Sequence, residues 1–367
     1  MLVPLLSLWL LSLVQAPPGP ESDVDRIMLR FRQRAAQIKN ESLFRKLLET
    51  TRSELEKFLK DKPRDKDAHR AAWHIAESYL IAQEPDKALE KLDLFLHDYP
   101  SSEFGLPARF ARADLRLQRE DDAGARAAFE EFLKLYPKDD RAILARMGVA
   151  VTLQNERRYD EAATILGAVR DQEKGKPESW GAAMQLAVLR HVQEKGPESR
   201  SELEEIVRRC PDREVVEVAR RHLSEYLKAG QEAPSFAERD LAGAEFSLEK
   251  PRGKVIVLYF FDSGLTTAVS EAAFLRGARQ AFKPEDLQIL GVSVNADRKD
   301  LLLFTTEAKV DWPVHFDGKG TEGRLARLYE VRTLPALWVI DRKGRLRFFN
   351  VAGRDLRNSI AKLLEEK

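Results

Sequence analysis

Apolar residues recur at intervals of three and four along residues 22–230, and charged residues occupy most of the positions between them. Positions three and four apart share one face of a helix, so this pattern predicts a succession of amphipathic helices. Almost no stretch of this region alternates apolar and polar residues as a half-buried strand does. The first half of the chain is therefore predicted to be all-helical.

The helical region contains an internal repeat. Residues 71–100 align without gaps with residues 108–137, an offset of 37 residues. The aligned pairs include Trp73 and Phe110, Ala76 and Ala113, Leu80 and Leu117, Ala88 and Ala125, Leu92 and Phe129, and Tyr99-Pro100 and Tyr136-Pro137. A further step of the same length reaches Met147, Ala150, Ala162, Leu166 and Val169, after which the pattern fades.

These positions predict paired helices. Small alanines let two helices approach closely, large apolar residues fill the next groove, and a proline after tyrosine ends the second helix. Over residues 70–170 the pattern resembles the tetratricopeptide repeat, in a form slightly longer than the usual length of about 34 residues. The resemblance implies a concave surface that binds proteins or peptides. Residues 22–60 and 175–230 are expected to add flanking helices or degenerate repeats, and a plain helical bundle is the alternative.

The pattern changes after "GQEAP" at residues 230–234. The unbroken apolar run "GKVIVLYFF" (253–261) predicts a buried strand, because a strand covered on both faces does not alternate. The elements predicted after it are a helix at 267–281, a strand at 287–294, helices near 298–309 and 321–329, a strand at 336–341, the strand "LRFFN" and a helix at 354–366. This order predicts a small α/β sandwich. The fold class is therefore a helical solenoid followed by an α/β domain.

Two signatures in this part resemble the thioredoxin-like superfamily, which includes peroxiredoxins and exported thiol–disulfide oxidoreductases. The first begins at "APSFAERD" and ends at "GKVIVLYFF", and the second is "YEVRTLPALWVIDRKGRLRFF". The resemblance covers about residues 233–366 and implies a thioredoxin-like fold. It also implies that Pro335, preceded by Leu334, is a cis-proline facing the active site.

The resemblance places redox cysteines where strand 253–261 meets the next helix, and this chain has none there. In the oxidoreductase alignment the two cysteine positions are Leu265 and Ala268, and Glu271 matches an acidic residue three positions later. In the peroxiredoxin alignment the peroxidatic position is Val269. Disulfide exchange and peroxide reduction both need a thiolate, so neither alignment leaves a catalytic residue.

Without catalysis, the groove is predicted to bind extended peptides, as related folds do through strand-like hydrogen bonds. The candidate binding residues are Leu334 and Pro335 on one side and Thr266 and Thr267 on the other. An N-cap role for the helix after the strand is expected for Asp262, Ser263 or Thr266.

The single cysteine, Cys210, makes an intramolecular disulfide impossible. It either pairs with another molecule, or is a thiol activated by Arg208, Arg209 and Arg213, or ends a helix before Pro211. We expect the last of these. The alternative function is a thiol oxidoreductase or peroxidase that uses Cys210 or a thiol of its partner.

Charge and the N-terminus complete the prediction. The 61 basic and 60 acidic residues leave no net field to attract nucleic acid or an anionic membrane. The apolar run Leu2–Val14, ending in Val14-Gln15-Ala16, is typical of a signal peptide. Pro17 follows the best cleavage position, so an uncleaved membrane anchor is the first alternative and a buried helix the second.

The predicted organisation is a signal peptide at 1–16, a tetratricopeptide-like domain at 17–232 and a thioredoxin-like domain at 233–367. His69 and His74 are five positions apart, which does not suit a shared metal, and neither metal nor cofactor is expected. The predicted function is an exported, periplasmic or extracellular scaffold with a redox-inactive domain. Its partners would be proteins or peptides, bound by the concave repeat face and the groove at Pro335.

Overall fold

The computed structural model describes residues 22–38, 40–351 and 353–366. The predicted signal peptide, residues 1–16, lies outside this part of the chain. The structure divides into two compact units, the first ending at Glu156 and the second beginning at Arg157. No helix within the described ranges is long and apolar enough to cross a membrane.

The first unit is entirely helical in its described residues, as the apolar periodicity predicts. Its helices are α1 (Asp23–Ala35), α2 (Glu41–Asp61), α3 (Ala68–Ile81), α4 (Pro85–Asp98), α5 (Gly105–Gln118), α6 (Asp122–Leu135) and α7 (Arg141–Asn155). Consecutive helices pack against one another. The alanines at the repeated positions Ala76 and Ala113 are both completely buried, which is the close helix contact that the alignment indicates.

The second unit begins with four more helices, α8 (Tyr159–Gln172), α9 (Pro177–Val192), α10 (Gly196–Arg209) and α11 (Arg213–Tyr226). A left-handed residue occupies the turn inside each of four successive helical pairs, at Gln83, Glu120, Arg157 and Glu194, with φ of 57°, 64°, 61° and 61°. Each of these left-handed residues lies 37 positions after the previous one, which is the offset of the sequence repeat. The pair α9–α10 therefore keeps the repeat geometry beyond the point where the sequence pattern fades.

A five-stranded sheet follows in the same unit. Its strands are β3 (Val255–Phe261), β4 (Leu287–Ser293), β5 (Val314–Phe316), β6 (Ala336–Ile340) and β7 (Leu346–Phe349). They lie side by side in the order β5-β4-β3-β6-β7. Strands β3, β4 and β5 are parallel, whereas β6 runs antiparallel to both β3 and β7. A separate hairpin, β1 (Ala237–Arg239) and β2 (Glu245–Ser247), precedes the sheet. The sequence did not predict this hairpin, because three-residue strands are too short to show a period.

Helices cover both faces of the sheet. They are α12 (Ala268–Ala281), α13 (Arg298–Glu307), α14 (Arg324–Leu328) and α15 (Gly353–Glu365). Helices α12, α13 and α15 share one apolar layer with the sheet, and α14, Phe236, Phe246 and Tyr329 form the other. Every residue of β3 is consequently buried, and the predicted α/β sandwich is confirmed.

Candidate functional site

The site lies where β3 ends and the segment 262–267 leads into α12. Phe260 of β3 pairs with Ala336 of β6, so Pro335 lies at the same end of the sheet, next to the last paired residue. The Leu334–Pro335 peptide bond is cis, as the resemblance implies. Strand pairing thus brings together two segments that are some seventy positions apart in the chain.

A buried asparagine anchors the segment that follows β3. Asn295 lies just after β4, which ends beside β3 because the two strands are parallel. Its Nδ2 donates to Ser263 Oγ at 2.6 Å and to Asp262 Oδ1 at 3.2 Å. Its Oδ1 accepts from the Ser263 backbone N–H at 3.1 Å and from Ser293 Oγ at 2.8 Å. The loop therefore has a defined conformation that requires no sulfur.

The expected helix cap is wrong. The N-cap of α12 is Thr267, and its side chain accepts no capping hydrogen bond. Asp262 instead accepts from the Gly264 backbone N–H at 2.9 Å, inside the loop. The contacts with Asn295 hold Asp262 and Ser263 within the loop. Asn295 lies 33 positions after Asp262, whereas the capping rule considers only neighbouring residues.

The positions that match cysteines have different environments. Leu265 is 38% exposed and Val269 is 62% exposed, whereas Ala268, the first residue of α12, is 1% exposed and lies in the apolar core. Thr266 and Thr267 are both exposed between them. The rim of the site is therefore apolar at two positions and hydroxylated at two others.

Glu271 has an internal partner that the sequence did not reveal. The hydroxyl of Tyr259, on β3, donates to the Glu271 carboxylate. Burial, followed by this contact, raises the pKa of Tyr259 far above its usual range. The Tyr259 ring stacks on Phe261 with centroids 5.1 Å apart. Glu271 is thus held inside the domain by a structural hydrogen bond.

The three residues before the cis-proline form a free backbone edge. Within the described part of the chain, the backbone N–H and C=O groups of Arg332, Thr333 and Leu334 have no hydrogen-bond partner. Arg332 and Thr333 are exposed, and Leu334 and Pro335 are half-buried. Exposed, unpaired backbone groups next to the end of a strand can accept the backbone of a further strand.

Helix α11 contacts this edge, which sequence reasoning missed. Arg221 Nη1 donates to Thr333 Oγ1 at 2.7 Å, across a separation of 112 positions. Lys228 Nζ, just after the helix, binds Glu330 Oε2 at 2.7 Å. The only available sequence signal was the spacing of Arg221, Glu225 and Lys228, which places them on one helix face.

A buried polar cluster fills the space between α9, α11 and the sheet. His191 stacks on Tyr226 with ring centroids 3.6 Å apart, and His222 Nδ1 lies 3.6 Å from Glu225 Oε2. Burial lowers the pKa of His191 to about 3 and that of His222 to about 4. Burial also raises the pKa of Glu225 to about 7. The folded protein thus favours the neutral form of all three side chains.

Cys210 ends α10, as expected. Its Sγ lies 3.8 Å from the Asp212 carbonyl oxygen, and its side chain packs against the apolar cluster of α9, α10 and α11. Arg208 and Arg209 both bind Glu205, at 2.9 Å and 3.1 Å. In the described ranges, no group of three His, Cys, Asp or Glu side chains is arranged to hold a metal ion.

Family models match both parts of the chain. Residues 229–349 match the AhpC/TSA family, and residues 108–139 and 150–214 match tetratricopeptide repeats. The C-terminal part is a thioredoxin-like domain of the AhpC/TSA type, and the helical part contains tetratricopeptide repeats. Both predicted resemblances are confirmed, and the lack of active-site cysteines is consistent with a single cysteine in the chain.

The relatives of the thioredoxin-like domain are thiol-disulfide oxidoreductases. One is ResA of Bacillus thuringiensis subsp. konkukian, 27% identical over 124 residues, or 33% of this chain and 69% of that protein. ResA of Geobacillus kaustophilus is 25% identical over 121 residues, or 33% of this chain and 68% of that protein. The thioredoxin domain of a thiol-disulfide oxidoreductase from Bacteroides vulgatus is 26% identical, with a TM-score of 0.35 over 37% of this chain and 98% of that structure.

Proposed function

We propose that this protein is an exported scaffold whose thioredoxin-like domain binds extended polypeptide segments and performs no thiol chemistry. The free backbone edge at residues 332–334 is the observation that carries the proposal. An extended peptide placed beside it would satisfy these N–H and C=O groups as an added strand. Thr266 and Thr267 would face the same peptide from the other side of the groove.

The rim of the groove favours apolar side chains on the ligand. Leu265 and Val269 are exposed although both are apolar, and Leu334 is half-buried next to the edge. Covering such side chains yields about 25 cal/mol per Å² of apolar surface removed from water. The proposed ligand is therefore an extended segment with apolar residues at alternate positions, because alternate side chains of a strand point the same way.

The absence of redox activity is proposed from the residues at the site. Leu265, Ala268 and Val269 supply no nucleophile, and the only sulfur that forms thiolate is Cys210, at the end of α10. The tetratricopeptide repeats would add a second surface for protein partners. Export is proposed from the N-terminal apolar run, with Leu2–Val14 acting as a signal peptide or an uncleaved anchor.

Binding is tested with carboxamidomethylated lactalbumin, an unfolded chain without free thiols, and with a peptide array that tiles its sequence. The wild-type protein is expected to bind apolar extended peptides, measured by fluorescence anisotropy. Leu265→Glu is expected to weaken binding about tenfold, or about 1.4 kcal/mol, because it places a charge on the apolar rim. Leu302→Glu is the matched control, since Leu302 is 44% exposed on α13.

If the wild-type protein binds none of the peptides on the array, the proposed function is ruled out. Equal weakening by Leu265→Glu and Leu302→Glu would place the binding surface elsewhere. The redox part is tested separately by insulin reduction and peroxide consumption, with wild-type protein and Cys210→Ser. Neither protein is expected to turn over either substrate, and wild-type turnover lost in Cys210→Ser would support the oxidoreductase alternative.

A further inference from the structure

We propose that α11, the last helix of the helical array, holds the free edge 332–334 in its binding conformation, with Arg221 and Thr333 as positioning residues. This inference rests on the proposed function, because it concerns how the same groove is kept ready for its ligand. Peptide binding would then be coupled to the packing of α11 on the thioredoxin-like domain.

Helix α11 and the turn after it contact both the edge and the residue that leads into it. Lys228 binds Glu330, which precedes the edge, and Arg221 binds the hydroxyl of Thr333 within it. Arg221 and Glu225 are four positions apart and share one face of α11, and Lys228 lies in the turn directly after the helix.

Glu225, on the same helix, is linked through Asn350 to the chain after the cis-proline. Asn350 Nδ2 donates to both carboxylate oxygens of Glu225, at 2.9 Å and 2.8 Å. Asn350 also bonds Leu337, which lies two residues after Pro335. Its side-chain Oδ1 accepts from the Leu337 backbone N–H at 2.9 Å, and its own backbone N–H donates to the Leu337 carbonyl oxygen at 2.7 Å. The helix therefore holds the chain on both sides of the cis-proline.

The edge has no other hydrogen bond to hold it. Its backbone groups are unpaired in the described structure, and the Thr333 hydroxyl is the one group of residues 332–334 that is hydrogen-bonded there. An edge released from Arg221 would sample more conformations, and a ligand would then have to order it on binding. Loss of this bond is therefore expected to weaken binding without removing any ligand contact.

The test uses the full chain and the tightest-binding lactalbumin peptide of the array. Thr333→Val removes the hydroxyl at nearly constant shape, and Arg221→Ala removes the donor. Each substitution is expected to weaken peptide binding about tenfold. The double variant is expected to weaken it no further, because both substitutions remove the same hydrogen bond. Thr333→Ser keeps the hydroxyl and is expected to bind as wild type does. Arg220→Ala, which removes an exposed pair with Glu217, is the control on α11.

Amide 15N order parameters of residues 332–334, measured without ligand by NMR relaxation, give a readout independent of binding. These order parameters are expected to fall in Thr333→Val and to keep the wild-type values in Thr333→Ser. Multiplicative losses in the double variant would show that both side chains touch the ligand, which overturns positioning. Equal binding by wild type and Thr333→Val, or unchanged order parameters, would overturn the inference while leaving the proposed function intact. A wild-type protein that binds no peptide overturns the proposed function and the inference with it.

Discussion

The helical array and the thioredoxin-like domain differ in how far apart in the chain the residues lie that define their structure. In the array, one arrangement recurs at a fixed interval, and the left-handed turns at Gln83, Glu120, Arg157 and Glu194 mark it four times. In the domain, the site occurs once and is assembled from Asp262, Asn295 and Pro335, which are distant in the chain. A change in the array is therefore expected to act locally, and a change at the site to disturb several segments together.

The same difference explains how the site keeps its shape without cysteines. The loop after β3 is held by hydrogen bonds from Asn295. The edge before β6 is contacted by Arg221, and Asn350 bonds Leu337 within β6. None of these bonds uses the side chain of Leu265, Ala268 or Val269. The shape of the site thus depends on residues other than those at the positions that match the family's cysteines.

The largest expected effect at a fixed pH contrasts two asparagines. Asn295→Ala removes four side-chain hydrogen bonds at a residue 6% exposed, so it is expected to lower the free energy of unfolding by about 3 kcal/mol. Asn155→Ala, at the end of α7, removes one hydrogen bond to Asp122 and is expected to cost about 1 kcal/mol or less. Urea denaturation measures both.

Similar losses for the two variants would contradict the view that the site depends more on shared hydrogen bonds than the array does. Hydrogen exchange of residues 262–267 gives a second measure. It is expected to accelerate in Asn295→Ala and to be unchanged in Asn155→Ala.

A smaller effect concerns pH. The pKa of His191 falls from 6.5 to about 3 and that of His222 to about 4, so the unfolded chain takes up these protons first and stability falls as the pH drops below 6.5. The pKa of Glu225 rises from 4.5 to about 7, so its protonation stabilises the fold between pH 7 and 4.5. Between pH 7.5 and 5 the two histidines lower the stability by about 4 kcal/mol and Glu225 raises it by about 2.5 kcal/mol, a net loss of about 1.5 kcal/mol.

Glu225→Gln removes the opposing titration, so its stability is expected to fall by about 4 kcal/mol over the same interval. Urea titrations at several pH values measure the slopes, and His97→Gln, at an exposed side chain of the first unit, is expected to follow wild type. A Glu225→Gln slope equal to that of the wild-type protein would show that Glu225 does not titrate in this interval.

The smallest expected effect tests the turns of the array. Gln83 is left-handed with φ of 57°, a conformation that glycine adopts without steric cost. Gln83→Gly is therefore expected to stabilise the first unit by about 0.5–1 kcal/mol. Lys57→Gly, at an exposed position inside α2, is expected to destabilise it by about 1 kcal/mol. Destabilisation by Gln83→Gly in urea denaturation would show that its backbone carries no strain.

Much of the fold followed from residues that lie close together in the chain. The run at 253–261, the strand at 287–294 and the helix at 267–281 differ from the structure by at most two residues at either end. The repeat also predicted which alanines are buried. The capping role of Asp262 was wrong and the role of Asn295 was missed, because both depend on the alignment of β3 beside β4.

The helical period, the α/β order of the second half and the absence of sulfur at residues 265, 268 and 269 can all be read along the chain. The Asn295 anchor of the loop, the unpaired backbone at residues 332–334 and the contact of α11 with Thr333 became visible only in the folded protein. The two groups of features differ in the distance along the chain over which each signal acts. Helix faces and repeats are encoded by residues at short, regular intervals. Arg221 and Thr333, in contrast, are 112 positions apart and are brought into contact by the packing of a whole domain.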